Sequence, residues 1–439
     1  MTQTSPLASI IIPTHNRARL LERTLLALAR QTSPAQDYEV ILVADGCNDE
    51  TVQVARQFDS PYRLQLVEQP QQGPAAARNR GAQVAAGELL IFIDDDIEVV
   101  PHFVAAHLDA HTGSENLVVI GYLQPVLQPQ RGFFRAELMI WWENMFERLR
   151  EPGHRFSYQD LTSGNFSLRK ELFVSVSGFD TDFRCHEDYE LGFRLLQAGA
   201  RMTFSMQAAG FHHENTMLDG SLQRKYQEGV ADTLLGERYP QLQPTFLMAH
   251  LQQYARLPSR MLQFMAFHWP ATSERLARWL PRLLVVFERF HWYAGWRRLL
   301  DGLLAYWYWR GVMQRLTSPK AVKQYLSAVP LGSPAEHEKL EIDLSGGIAQ
   351  AERILDMRSP EAVKLRYRQI YIGSLPDQPG AEKLRSAHLR PALATTFAIP
   401  LLRALALNGS VGDPEIAGRL EAECEQVMKD NPRYAEPLD

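Results

Sequence analysis

A chain of 439 residues, 45% hydrophobic and 22% charged, has the makeup of a globular protein with room for two or three domains, not of a disordered or fibrous one. Its formal net charge of -5 speaks against a nucleic-acid partner. Three cysteines, Cys47, Cys185 and Cys424, lie far apart without a CxxC spacing, which argues against a disulfide framework or a zinc site and for reduced thiols in a cytoplasmic setting.

In chain order, Ala8 to Ile12 is a short apolar strand stopped by Pro13, followed by the polar turn Thr14-His15-Asn16-Arg17. Leu20, Leu21, Thr24, Leu25 and Leu28 then recur at helical spacing. Tyr38 to Val43 reads as a second buried strand, ending in Ala44-Asp45-Gly46-Cys47-Asn48-Asp49, with Asp49 placed to cap a helix from Glu50 to Phe58. Leu64 to Glu68 is a candidate third strand. A glycine turn at Gly73 leads into a helix carrying Arg78 and Asn79. Next comes Glu88-Leu89-Leu90-Ile91-Phe92-Ile93-Asp94-Asp95-Asp96, an unbroken apolar run that delivers three carboxylates. Such a run predicts a strand buried on both faces of a parallel sheet. Crowded carboxylates are costly unless a cation stands among them, and hard divalent cations take oxygen ligands.

Strand and helix thus alternate four times, which predicts a mostly parallel α/β sheet. Ligands of such sheets gather at the carboxyl ends of the strands. The turn at Thr14 to Arg17, Asp45, Arg78 with Asn79, and Asp94 to Asp96 are expected to converge there. Asp45 can accept from a nucleobase or from ribose, and the Arg78 fork suits phosphate oxygens. Together these parts fit a nucleotide diphosphate.

Further on, Val118 to Tyr122 and Thr203 to Ser205 are candidate strands, and Phe133 to Leu149 a helix. Leu161 to Arg169 is small and polar at its centre, with Gly164 and Asn165. Glu187 and Asp188 precede a helix from Tyr189 to Ala198. They read either as caps favoured by the helix dipole or as a general base. His212 and His213 follow a short strand and stand evenly between structural and metal-binding roles.

In this order and at these intervals the motifs resemble the family-two glycosyltransferases with the GT-A fold. Ser9 to Arg17 resembles their opening. Ala44 to Thr51 is similar to their DDGSxDxT turn, with Ala44 and Cys47 as departures. Gly73 and Ala77-Arg78-Asn79-Arg80-Gly81 resemble the NxGxxxARNxG segment, and Asp94-Asp95-Asp96 the DxD motif. Gly164-Asn165, Gly178-Phe179-Asp180 and Glu187-Asp188-Tyr189-Glu190-Leu191 resemble the GN, GFD and ED-x-[DE]-L elements. The resemblance covers residues 8 to 215. It implies a nucleotide-sugar donor, most simply a UDP-sugar, contacted by Pro13, Thr14, Asn16, Arg17, Asp45, Gly73, Arg78, Asn79, Asp94, Asp95, Gly164 and Asn165. It implies Mn²⁺ or Mg²⁺ held by Asp94, Asp96 and His212, inversion at the anomeric carbon, and Asp188 as base with Glu187 the alternative. The acceptor class is a hydroxyl of a glycan or lipid-linked acceptor, as in cell-envelope polysaccharide synthesis. The QxxRW motif of processive synthases is absent, so one sugar per encounter is expected. A non-catalytic nucleotide-sugar-binding protein or a sugar-nucleotide pyrophosphorylase is the alternative reading.

These motifs place a catalytic domain over residues 1–220. Residues 221–317 form a helical region with six of the eight tryptophans, interleaved with arginine, expected to pack on the catalytic domain, on a second copy of the chain or on a membrane surface. Residues 318–439 read as a mainly helical domain, with a strand from Lys339 to Leu344 and helices over Ile348–Met357, Pro360–Tyr371 and Glu382–Leu407. Met1 to Ser9 has no basic start followed by an apolar stretch, so no signal peptide is expected. No window approaches the ~18 consecutive apolar residues of a membrane span. The expected location is cytoplasmic, with any membrane contact peripheral, at the inner face.

Overall fold

A computed structural model describes residues 5–126, 132–213, 215–253, 257–327 and 340–408. Their contacts divide the chain into two compact units. One comprises the described residues of Met1–Arg150, Phe156–Ser333 and Pro379–Glu382; the other those of Glu151–Arg155, Pro334–Gln378 and Lys383–Asp439.

In the first unit the opening alternation is β1 Ala8–Thr14, α1 Ala18–Leu28, β2 Tyr38–Asp45, α2 Thr51–Gln57, β3 Arg63–Gln69, α3 Pro74–Val84 and β4 Leu89–Ile93. Every residue of β2 and β4 is buried, as continuous apolar runs require in a sheet covered on both faces. There follow β5 Ile97–Val99, α4 Phe103–Ala110, β6 Leu117–Pro125, α5 Phe133–Arg150, β7 Asn165–Arg169, α6 Lys170–Ser175, α7 Glu187–Gln197 and β8 Arg201–His212. The eight strands lie in the order β3-β2-β1-β4-β7-β6-β8-β5. Strands β1 to β4 pair in parallel, β7 runs antiparallel between β4 and β6, and β5 antiparallel to β8. This is the mostly parallel α/β architecture that the strand–helix alternation predicts.

A polar network that the sequence did not announce lies under this sheet. His107 on α4 and His111, the residue that follows its end, stand one helical turn apart and face Ser167 and Asn165 on one face of β7. The Asn165 amide donates to the Ala208 carbonyl at 2.9 Å, so its Oδ1 must accept from His107 Nε2 at 3.1 Å. His107 Nδ1 then accepts from the Ser167 hydroxyl at 2.8 Å, and Ser167 Oγ accepts from His111 Nε2 at 2.9 Å. The tautomers follow from the partners. Burial pushes His107 down from 6.5 to about 3 and His111 to about 4. A base whose folded pKa is depressed lends stability above its unfolded pKa, and loses it as pH falls. Stability should therefore drop as pH falls from 6.5 towards 4, by up to about 1.4 kcal/mol per pH unit for each histidine. Urea unfolding across that window checks this; His107→Gln should flatten the slope.

The helices after β8 are α8 Leu218–Arg238, α9 Leu247–Gln253, α10 Leu257–His268, α11 Pro270–Trp279, α12 Pro281–Arg289, α13 Tyr293–Val312 and α14 Pro319–Ser327. They share a second apolar core with Tyr158, Phe183, Cys185 and Phe193 from the sheet region. Trp296 and Trp309 are 1% exposed in that core. Helices α8 and α13 cross closely at Gly229 and Gly311. A Cβ at Gly229 would stand 2.2 Å from the Tyr308 carbonyl oxygen, and one at Gly311 1.9 Å from that of Tyr226. Only glycine allows that approach.

The second unit contains β9 Leu340–Asp343, α15 Ile348–Arg358, β10 Val363–Tyr367, β11 Ile370–Leu375, α16 Ser386–Ala394 and α17 Ala398–Leu407, with strand order β11-β10-β9. The helix expected over Pro360–Tyr371 is instead the first half of a β-hairpin. Val363 and Leu365 point into the core while Lys364 between them is exposed, a period of two rather than 3.6. Arg368 takes φ 53° in the turn, and its N–H donates to Asp343 Oδ1 at 2.9 Å. The single helix expected over Glu382–Leu407 is two, bent by 77°. Among the described residues no single helix is long and apolar enough to cross a membrane. Residues 331–334, Leu-Gly-Ser-Pro, read as a junction by composition and lie outside the described residues.

Candidate functional site

The carboxyl ends of β1, β2 and β4 present Thr14, Asp45 and Asp94 along one sheet edge, because the three strands are parallel neighbours. The three aspartates then diverge. Asp95 turns inward: Thr14 Oγ1 donates to its Oδ2 at 2.6 Å and Arg17 Nη1 to its Oδ1 at 3.1 Å. Burial pushes its carboxyl up to about 7, against the pull of Arg17 and Thr14. Asp96 accepts from the same Arg17 Nη1 at 2.7 Å, and its Oδ1 lies 3.6 Å from His212 Nε2. Burial works to raise Asp96, but His212 and Arg17 outweigh it and hold the carboxyl below its usual range. The sheet sets this pair, since Ile97 on β5 lies opposite His212 on β8. Trp142 of α5 meets the His212 ring edge-on at 5.2 Å.

Asp94 faces the other way. Its Oδ1 accepts from Arg78 Nη2 at 2.7 Å, and Arg78 Nη1 donates to Glu187 Oε1 at 3.0 Å. Arg78 is 3% exposed and lies over the Phe179 ring at 5.5 Å. It therefore ties the end of β4 to the start of α7. The turn between Leu161 and Gly164 makes a second tie. Ser163 N–H donates to Asp188 Oδ2 at 3.2 Å. Next to it, a Cβ on Gly164 would stand 3.1 Å from Asp94 Oδ2. Glycine there lets the Asp94 carboxylate settle against the backbone.

The two carboxylates at the start of α7 are not equivalent. Glu187 is buried and engaged by Arg78; burial, then the neighbouring Asp188 charge, push its carboxyl up. Asp188 is half-buried and keeps solvent access. The residue before them, His186, holds a left-handed φ of 60°, costly for a residue with a side chain. What keeps it there comes from the helical region. His186 Nδ1 pairs with Asp232 Oδ1 at 3.0 Å, and the Tyr308 hydroxyl donates to Asp232 Oδ2 at 2.5 Å. Burial opposes protonation of His186, yet Asp232 raises its affinity for a proton. No sequence motif marked Asp232 or Tyr308. Replacing Asp232 with Ala leaves two buried groups unpaired and should cost about 3 kcal/mol of stability, readable by denaturant unfolding.

Other expected contacts are turned inward. Asn165 is fully buried, with its amide engaged by Ala208 and His107. Asn79 clamps the backbone of Phe179: its Nδ2 donates to the carbonyl at 2.7 Å and its Oδ1 accepts from the N–H at 2.8 Å. Both residues brace the fold. Arg78, expected as a phosphate contact, spends its two Nη groups on the carboxylates of Asp94 and Glu187. Asp45 accepts from Gln69 Nε2 and from the N–H groups of Gln72 and Gly73, each at 2.8 Å, and so shapes the turn entering α3. Asn16, at φ 55°, accepts from Asn48 N–H at 2.8 Å. Pro13 is the half-buried residue of β1, and Thr14 after it is buried again.

For a divalent cation, the donor set fits in part. Asp96 Oδ1 is a buried carboxylate oxygen without a hydrogen bond, facing an imidazole. Asp94 is drawn off by Arg78. Among the described residues no three groups stand together as a metal-ligand set, so the expected trio of Asp94, Asp96 and His212 reduces to the pair Asp96 and His212.

Residues 9–176 match the family model described as glycosyl transferase family 2. Glycosyltransferase AglE of Haloferax volcanii is 30% identical over 214 residues, spanning 48% of this chain and 68% of that protein. The chain belongs to glycosyl transferase family 2. This family-2 chain is also similar to validoxylamine A glucosyltransferase of Streptomyces hygroscopicus subsp. jinggangensis, at 35% identity over 48% of the chain, and it spans 57% of that relative's length. Among solved structures, mannosyltransferase PcManGT from Pyrobaculum calidifontis, in complex with GDP-Man and Mn²⁺, overlaps 71% of the chain and 88% of its own at 20% identity, with a TM-score of 0.46. The family match ends before α7. The carboxylates Glu187 and Asp188, and Asp232 behind them, lie beyond it.

Proposed function

We propose that this protein transfers one hexosyl residue, with inversion, from a nucleoside diphosphate donor, most simply a UDP-sugar, to a hydroxyl of a glycan or lipid-linked acceptor. One observation carries the reading. Asp188 is a half-buried carboxylate tied through Ser163 to the turn that also seats Asp94, while Glu187 beside it is engaged by Arg78. The accessible acid is thus fixed at the edge where the β4 acids emerge. Similarity to a named glucosyltransferase supports hexosyl transfer.

In this reading Asp188 accepts the proton of the acceptor hydroxyl as its oxygen attacks the anomeric carbon. The nucleoside diphosphate leaves from the opposite face, which inverts the configuration. Glu187, Arg78 and Asp94 hold the base and the donor edge in register. Asp96 and His212 are the residues that would hold Mn²⁺ or Mg²⁺. Such an ion, when bound, offsets charge on the leaving diphosphate as a Lewis acid.

The test is nucleotide release by the purified full chain from a panel of nucleotide sugars with Mn²⁺, with and without simple glycan acceptors. Release from at least one donor is expected. Donors that bind without any release would leave a binding protein instead. For the cation seat, changes outside the ligand sphere already weaken metal sites ~10–100-fold. Asp96→Asn and His212→Ala should therefore each raise the Mn²⁺ needed for half-maximal rate by at least about tenfold. An unchanged Mn²⁺ dependence in both would remove this seat.

A further inference from the structure

The tryptophan- and arginine-rich helices divide sharply into an inside and an outside. Trp296 and Trp309 fill the core behind α7, while Trp269, Trp279 and Trp292 are exposed. Helix α12 shows the division best. Leu284 is buried, with Phe287 partly so. Arg282, Val285, Val286, Arg289 and Phe290 are exposed, at the spacing i, i+3, i+4, i+7, i+8 of a single helix face. Val285 is 67% and Phe290 76% exposed. Beside it, α11 exposes Arg275, Leu276 and Trp279 while burying Ser273 and Ala277.

The charge on this face is uncompensated. The two acids of α11 and α12 are turned away: Glu274 pairs with Arg278 and Arg310, and Glu288 accepts from the Phe133 N–H at 2.8 Å. Arg275, Arg282 and Arg289 have no ion pair among the described residues. A helix face that exposes Val285, Val286 and Phe290 between these arginines is not an ordinary solvated surface. Helices of ten and nine residues are too short to cross a bilayer, but they can lie on one. Arginine stems cover apolar surface while their heads reach phosphates, and Trp and Phe settle at headgroup depth. A second copy of the chain suits the face less well, because two such faces would bring like charges together.

We propose that α11 and α12 dock this protein peripherally on an anionic lipid surface. The face lies outside the residues assigned to sugar transfer, so the two readings can fail separately. The test is co-sedimentation of the full chain with vesicles of phosphatidylcholine alone and of phosphatidylcholine doped with phosphatidylglycerol. Sedimentation is expected only with the anionic vesicles, and it should weaken with added salt. The triple variant Arg275→Gln, Arg282→Gln, Arg289→Gln should lower the partition coefficient about a hundredfold, with melting temperature unchanged. Val285→Ser with Phe290→Ser alters the same face at constant charge and should also release the protein; it stands in should the triple variant misfold. The proposal fails if the protein stays in solution at low salt, if it binds both vesicle types alike, or if the surface variants sediment like the wild type. It fails too if sizing shows a dimer that these variants dissociate, which would give the face to a second copy.

Discussion

Purified Asp188→Asn should release nucleotide in the presence of acceptor at least about a hundredfold more slowly than the wild-type protein, while melting at the same temperature. The substitution keeps shape and one acceptor oxygen. Its oxygen can still accept from Tyr189 N–H, at 2.9 Å in the wild type, while the longer, half-exposed contact from Ser163 N–H is given up. What is lost is the carboxylate that can take a proton. Positioned proton transfer contributes typically ~10²–10⁴-fold, which sets the scale. The companion variant Glu187→Gln separates the two acids. Glu187 is buried against Arg78, so its loss should show first in stability. If Asp188→Asn turns over at the wild-type rate and Glu187→Gln does not, the roles are reversed.

The second large effect is structural. Arg78→Met should destabilise the protein by about 3–5 kcal/mol, the usual cost of removing one partner from a buried ion pair. Arg78 is the cation between Asp94 and Glu187, and the methionine chain fills similar volume without charge. Denaturant unfolding of the purified variant reads the loss. The pH dependence gives a second signature. Without Arg78, Glu187 keeps its burial and its neighbour Asp188, both of which push its carboxyl up. An acid with a raised folded pKa favours the fold when protonated, so the variant should regain stability as pH falls below neutrality. A variant as stable as the wild type would mean that Arg78 does not hold these acids together.

The strands around the site were legible because β1, β2 and β4 are buried on both faces and therefore read as unbroken apolar runs. Three parallel runs, each followed by polar residues, place Thr14, Asp45 and Asp94 on one edge without further information. The partners were not legible. Asn79 and Arg78 are neighbours in sequence, yet one clamps Phe179 and the other holds Asp94 and Glu187. Nothing local says whether an amide or a guanidinium faces a ligand or a buried acid. The hairpin at Val363–Leu375 had a signal, the alternation of Val363, Lys364, Leu365 and Arg366, but a preceding proline made a helix start equally plausible. His107 and His111, four residues apart, gave no such signal, since only the fold places Ser167 between them.

The hold of Asp232 and Tyr308 on His186 has a consequence for protein engineering. Transplanting residues 9–176 into another scaffold would carry the acids of β4 but leave behind the clasp that sets the backbone angle before Asp188. Chimeras cut at that border should arrive with the β4 acids in place and the carboxylate proposed as base misaimed. A successful exchange has to take α8 and α13 along, so the smallest interchangeable piece of this protein runs from the first strand through residue 312.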